Sequence, residues 1–413
     1  MSNPSFLNVP YRFKAGTLYS QIPESGLGDL VVTRTTTPTA NRSTRVNAQG
    51  FIETVADNVP RLDYPLGGIA NGCPALLVEP SAVNLTVQSE NFGTTWGLVQ
   101  LLAFGSGSVL NTTATLDPYG TNFADFIVAN TVLDQHRVEQ TTVSAAGSYT
   151  FSVFLKAGGY GFGRLRIGGI GATFNLTTGA VSSTDTGIVS SIQSYGNGWY
   201  RCIISKAASI ANEIVRVNIL QSGSGDFAGN GTSGIYIFGS QYELGAVATS
   251  YIPTTTQAIT RGVETIIKTG VSSLIGQTEG TIYVELDMRN FVTNAMACFV
   301  SDGTGFNSIS VQIFAPPNSI RVGISRLGVG QIDFIVPMPS GVNKVALGYA
   351  QNNVAIYLNG TSVATSAVCL IPATSRVDLG SRIGTGSYLN DRIRSLAIYP
   401  TRLTNPQLQA LTT

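Results

Sequence analysis

Glu285 and Asp287 are the side chains best placed for acid–base chemistry in this 413-residue chain. They stand two apart in TIYVELDMR (281–289), whose alternation predicts a strand with Ile282, Val284, Leu286 and Met288 inward. Both carboxylates then leave the same face and can approach the about 5–5.5 Å separation of a retaining glycosidase pair. The competing reading is a solvated outer face with a cross-strand arginine. Tyr283, Glu285, Asp287 and Arg289 are therefore carried as a candidate sugar-binding set rather than a catalytic one. A second set comes from what a pyranose offers, an apolar C–H face and a ring of hydroxyls, which an aromatic ring flanked by planar donors can match. Phe162, Arg164 and Arg166 share one strand face, and Tyr195 and Trp199 bracket the turn before the next strand. On one concave sheet these five would make a platform, although Trp199 also reads as the large core residue of a sandwich.

Metal and nucleophile chemistry find little support. The loop 301–305, SDGTG, is of the type that holds calcium, with Asp302 as its acid, but a single acid in a glycine-rich turn reads first as a turn. Cys73, Cys202, Cys298 and Cys369 form no CxxC pair, so they are expected to be buried free thiols. His136 is the only histidine and no GxSxG accompanies it, which argues against a serine nucleophile. No cofactor is expected.

The elements that must position these residues are strands. Only 11% of residues are charged, against roughly 25% in ordinary soluble domains, and 46 glycines imply many turns. Such a neutral, hydrogen-bonding surface suits stacked strands and subunit contacts. A net charge of +1 without a basic stripe excludes a field that gathers nucleic acid. Of 24 basic residues only Lys14, Lys156, Lys206, Lys268 and Lys344 are lysine, and the arginine excess favours planar hydrogen bonding. No apolar run approaches the roughly 20 residues that span a bilayer, and the N-terminus has no secretory pattern.

At about 150 residues per domain the chain should hold two or three domains. Residues 1–83 have short apolar runs cut by Pro and Gly, too little for a core of their own, so they must lean on a partner or on the next domain. In residues 84–253, YTFSVFLKA alternates Tyr149, Phe151, Val153 and Leu155 against Thr150, Ser152, Phe154 and Lys156, and similar strands recur as in a jelly roll. Residues 254–413 repeat the theme, with a hairpin turning at Asn359-Gly360 and one helix after Thr404. The expected class is all-β: two successive antiparallel β-sandwich domains preceded by a small β-rich N-terminal anchor.

The stretch 42–96 is punctuated by Pro60, Pro65, Pro74 and Pro80, each of which fixes a backbone angle and removes a donor. Its wording at 44–47, 50–53, 58–64, 73–80 and 84–92 resembles a connector of tailed-bacteriophage head-spike, head-fibre and tail-fibre proteins. SENF and TTW near its end, Gly198-Trp199-Tyr200-Arg201, and the closing ELG…TSYIPT before residue 255 are similar to a carbohydrate-binding-module-like jelly roll of phage spikes. The YLNG hairpin and the ending from 391 to 411 resemble a laminin-G-like, concanavalin-type sandwich. Relatives of that sandwich include glycosidases, which carry a further Glu on the strand that here holds Glu285.

These resemblances imply a virion surface fibre or spike, head favoured over tail, made in the host cytoplasm. Residues 1–83 would attach it to capsid or tail proteins, and the sandwiches would contact cell-surface glycans. A homo-oligomer is expected, trimer first and dimer second. A capsid decoration protein without sugar binding and a polysaccharide-degrading tailspike are the alternatives.

Overall fold

The computed structural model describes residues 3–37, 42–223, 225–315, 318–384 and 386–413. Alternation becomes strands where it was expected. Gly147–Gly158, Tyr200–Ser209, Gly234–Leu244 and Glu279–Met288 are long antiparallel strands. The hairpin Asn353–Leu358 to Thr361–Ser366 turns on Asn359 (φ 49°) and Gly360 (φ 79°), the left-handed pair a two-residue turn requires. The α-helix is Asn405–Thr412, opened by a capping box of Thr404 and Gln407. The described chain is all-β apart from this helix and two short 3-10 turns, and no helix in it is long and apolar enough to cross a membrane.

Four large sheets make two sandwiches. A six-stranded and a five-stranded sheet, both from residues after 96, enclose a core that includes Phe151, Val153, Leu155, Leu165, Val217 and Ile237. An eight-stranded and a nine-stranded sheet enclose a second core with Ile282, Val284, Leu286, Val300, Leu347 and Ile398.

The N-terminal segment is not set apart from the second sandwich. Phe6–Asn8 and Ala75–Val78 pair with the strand Asp391–Tyr399, and Leu62–Asp63 extends the same eight-stranded sheet. Leu30–Thr33 pairs with Thr265–Thr269 in the nine-stranded sheet. Phe6, Leu18, Leu30, Val32, Leu62, Leu76 and Val78 are part of that core. The burial that 1–83 lacks is thus supplied by the C-terminal third of the same chain, and the prolines bound strands: Ala75–Val78 fits between Pro74 and Pro80.

The stretch 42–96 is not a free connector either. It forms the seam between the sandwiches and carries a buried ionic cluster. Glu264 accepts from Arg34 Nη1 (2.7 Å), from Arg61 Nε (2.8 Å) and Nη2 (2.5 Å), and from the Glu79 backbone N–H (3.1 Å). Glu79 pairs with Arg61 (2.7 Å) and Arg261 (3.0 Å) and accepts from Ser250 N (2.7 Å) and Oγ (2.7 Å). Burial by itself favours the neutral carboxyls, but the guanidiniums outweigh it and hold Glu79 and Glu264 below the usual carboxylate range. Ser250 belongs to the segment that leaves the first sandwich, so the cluster ties both sandwiches to the stretch between them.

Cysteine placement differs from expectation at one position. Cys202, Cys298 and Cys369 are buried, whereas Cys73 is exposed between Gly72 and Pro74.

Candidate functional site

The sequence YGNGW makes a tight turn because Gly196, Asn197 and Gly198 all take positive φ (77°, 50° and 78°). Tyr195 N then donates to Trp199 O (2.9 Å), and the turn joins Ile188–Ser194 to Tyr200–Ser209 at the edge of the five-stranded sheet. Along the second of these strands Cys202 and Ile204 enter the core, so Arg201, Ile203 and Ser205 face the other way. That outer face is covered as well: Thr150, Ser152 and Phe154 are all buried. Gln241 and Glu243 fold the ELG…TSYIPT segment back over it. Glu243 accepts from Thr249 N (2.9 Å) and Oγ1 (2.6 Å) and from Gln241 Nε2 (2.7 Å), while Gln241 Oε1 accepts from Ile252 N (2.7 Å).

Between this covered face and the second sandwich a cleft of roughly 230 Å³ remains open. Ser191, Gln193, Tyr195 and Arg201 form its floor, residues 246–251 one wall, and Arg45, Arg289, Asn290, Asn390 and Arg392 the other. Asp391 fixes the far wall by accepting from the backbone N–H groups of Arg289 and Asn290 (both 2.7 Å), while Arg392 Nε donates to Asp63 (2.6 Å). The Tyr195 ring stands edge-on against Phe154, with centroids 4.8 Å apart. An aromatic ring, planar amides and guanidinium donors thus converge on one polar recess.

Of the five residues of the first candidate platform, only Tyr195 lines this cleft. Phe162, Arg164 and Arg166 share an outer face as expected, but on the six-stranded sheet, across the sandwich from Tyr195 and Trp199, so the single platform does not form. Arg164 there pairs with Asp185 (2.5 Å), and Arg166 donates to Gly169 O (3.0 Å). Trp199 takes the core alternative: it is buried with Ile52, Phe154, Phe238 and Tyr251, and its Nε1 donates to Leu116 O (2.7 Å).

The second set also divides. Tyr283 is buried in the layer beneath the helix with Leu403 and Leu408, Glu285 pairs with Arg394 (3.0 Å) on the neighbouring strand, and Arg289 with Asp287 (2.9 Å). Glu285 therefore has the cross-strand arginine of the simpler reading, Asp287 takes one two residues along its own chain, and Arg289 alone of the four lines the cleft. Asp302 accepts from Thr304 N (2.8 Å), Thr304 Oγ1 (2.6 Å) and Asn307 Nδ2 (2.8 Å) within its own turn. Among the described residues no cluster of three or more His, Cys, Asp or Glu could hold a metal. His136 is buried between the carbonyls of Gln100 and Phe227. Gln193, Arg201, Asn290, Asn390 and Arg392 escaped sequence reasoning. Only Arg201 left a signal, as a cation inside the apolar strand GWYRCIIS.

A second recess, beside the seam, holds Glu90, whose burial pushes its carboxyl up to about 7 although Tyr251 Oη donates to it at 3.2 Å. Burial likewise raises Asp125 to about 6 and Asp391 to about 7. A carboxyl raised on folding binds its proton more tightly in the folded state, so its contribution is present below about pH 4.5 and is lost as pH rises through about 7. The protein should therefore melt at a lower temperature at pH 8 than at pH 5. Glu90→Gln should narrow that difference by stabilising the pH 8 form by about 1–2 kcal/mol. Thermal melts of both proteins at both pH values check this, and an undiminished difference in Glu90→Gln would contradict it.

No protein-family model and no curated protein matches the chain. Among solved structures, the chain is similar to the CBM40 of a Ruminococcus gnavus IT-sialidase bound to α2,3-sialyllactose, at 19% identity and a TM-score of 0.30 over 34% of this chain and 85% of that one. Domain 4 of a GH43 extracellular arabinanase from Geobacillus stearothermophilus, in complex with arabinotriose, matches at 14% identity and 0.30 over 41% and 84%. The binding domain of botulinum neurotoxin serotype G matches at 12% and 0.29 over 36% and 39%.

Proposed function

We propose that this chain is an adhesive surface fibre or spike of a tailed phage, head-mounted in preference to tail-mounted, which holds glycans in the cleft between its two sandwiches. The observation that carries the adhesive part is the cleft itself. Its floor and far wall bring Tyr195, Gln193, Arg201, Asn290 and Asn390 to one recess, the donor set and ring a sugar requires. The virion part is supported by the resemblance of the stretch 42–96. Attachment to capsid or tail proteins falls to the exposed side of residues 1–83, where Val9, Tyr11, Leu27, Val31 and Ile69 are solvent-facing apolar side chains. Repeated copies, trimer first and dimer second, multiply weak single-site contacts.

The test is adsorption. Particles lacking this protein should attach to host cells more slowly than complete ones, and the pure protein should bind cells and compete with complete particles. Normal adsorption together with no binding of the pure protein to cell-surface sugar would leave decoration of the capsid as the better account.

A further inference from the structure

Among the described residues four arginines are buried: Arg34, Arg61, Arg201 and Arg261. Three of them meet carboxylates in the ionic cluster. Arg201 does not. It is 4% exposed, and among the described residues no carboxylate lies within ion-pair distance. Its Nε and Nη2 both donate to Ser152 Oγ (3.3 and 2.9 Å), and its guanidinium lies 5.6 Å from the centroid of the Phe154 ring. Glu243, the acid on the same sheet face, has Thr249 and Gln241 on its carboxylate instead. A buried cation with no direct ion-pair partner is costly; Glu243 acts on Arg201 only through space, and the guanidinium borders an open cleft. The cleft's own acids cannot neutralise it, since Asp63 is held by Arg392 and Glu79 by Arg61 and Arg261. A second unmet group lines the same cleft: Asn390 is 5% exposed, and its Oδ1 has no hydrogen-bond partner. One group calls for an anion and the other for a hydroxyl donor.

We infer that the cleft selects an acidic saccharide, seating a sugar carboxylate on Arg201 and a sugar hydroxyl on Asn390 Oδ1, with the pyranose ring against Tyr195. This rests on the reading of the cleft as a sugar site and narrows it to carboxylated sugars. Guanidinium–carboxylate bonding is charge-assisted and worth more than a neutral hydrogen bond, so losing the carboxylate should weaken binding about 10- to 100-fold.

The experiment is calorimetric titration of the intact protein with a hexuronate-containing tetrasaccharide and a sialylated trisaccharide, each beside its carboxyl-reduced neutral form. At least one acidic sugar should bind and its neutral form should bind at least about tenfold more weakly. Arg201→Gln should erase that preference and Arg201→Lys should keep part of it, with melting curves confirming that both variants fold. The reduced-sugar arm needs no variant, so it decides even if Arg201→Gln fails to fold. Equal binding of acidic and neutral forms overturns the acidic preference while leaving the sugar reading intact. An acid preference that survives in folded Arg201→Gln removes Arg201 from the site, and failure of every acidic sugar to bind overturns the inference outright.

Discussion

Glu264→Gln should lower the stability of the protein by about 3–5 kcal/mol, the range found when one partner of a buried ion pair is removed. The Glu264 carboxylate takes four donors, three from Arg34 and Arg61 and one from the Glu79 backbone. An amide of the same size offers one acceptor oxygen and turns an N–H₂ toward a guanidinium, so at least one buried donor is orphaned and three buried arginines are left with Glu79 alone. The damage should reach beyond one sheet. Arg34 follows a strand of the nine-stranded sheet, Arg61 precedes one of the eight-stranded sheet, and Ser250 links the cluster to the first sandwich. Chemical denaturation of wild type and variant measures the loss, and a change below about 1 kcal/mol would show that the cluster is not what joins the parts.

Trp199→Ala is the second large loss, about 3–5 kcal/mol, as for other buried aromatic truncations. The ring fills the layer between the five-stranded sheet and the seam, touching a cluster that includes Phe154, Phe238 and Tyr251, and Ile52 from the stretch 42–96. Its removal opens a cavity there and leaves Leu116 O without its indole donor (2.7 Å). Trp199→Phe keeps most of the apolar filling and loses the hydrogen bond, so it should cost markedly less. If both variants melted like wild type, Trp199 would belong to an open surface, where the platform reading had placed it.

Local periodicity made the strands legible. The alternation in 281–289 gave the correct inner face, that in 149–156 separated the two faces of its strand, and Asn359-Gly360 marked its hairpin. Periodicity says nothing about what covers the other face. Tyr283 faces away from the sandwich core as its alternation implies, and Phe154 lies opposite Phe151, yet the C-terminal helix covers the one and the seam the other. The ionic cluster was illegible for a related reason: Arg61 and Glu264 are 203 residues apart, and no spacing rule connects them. The stretch 42–96, read from its prolines and wording as a connector, is instead a packed seam that contributes Ile52 to one buried cluster and Arg61 and Glu79 to another. The cleft lay beyond sequence reasoning because its floor comes from the first sandwich and its far wall from the second. Tyr195 and Arg289 were singled out for two separate platforms, and folding brings them to the same recess.

The most direct test of the sugar-binding cleft is to fill it. Ser191 is an exposed floor residue on the edge strand Ile188–Ser194, where a large aromatic side chain suits strand geometry and disturbs no core. Titration of Ser191→Trp and wild type with the same glycans, after melting curves have shown equal folding, should find sugar bound by wild type and at least about tenfold weaker binding by the variant. Undiminished sugar binding by folded Ser191→Trp would contradict the account and move the site elsewhere on the sandwiches.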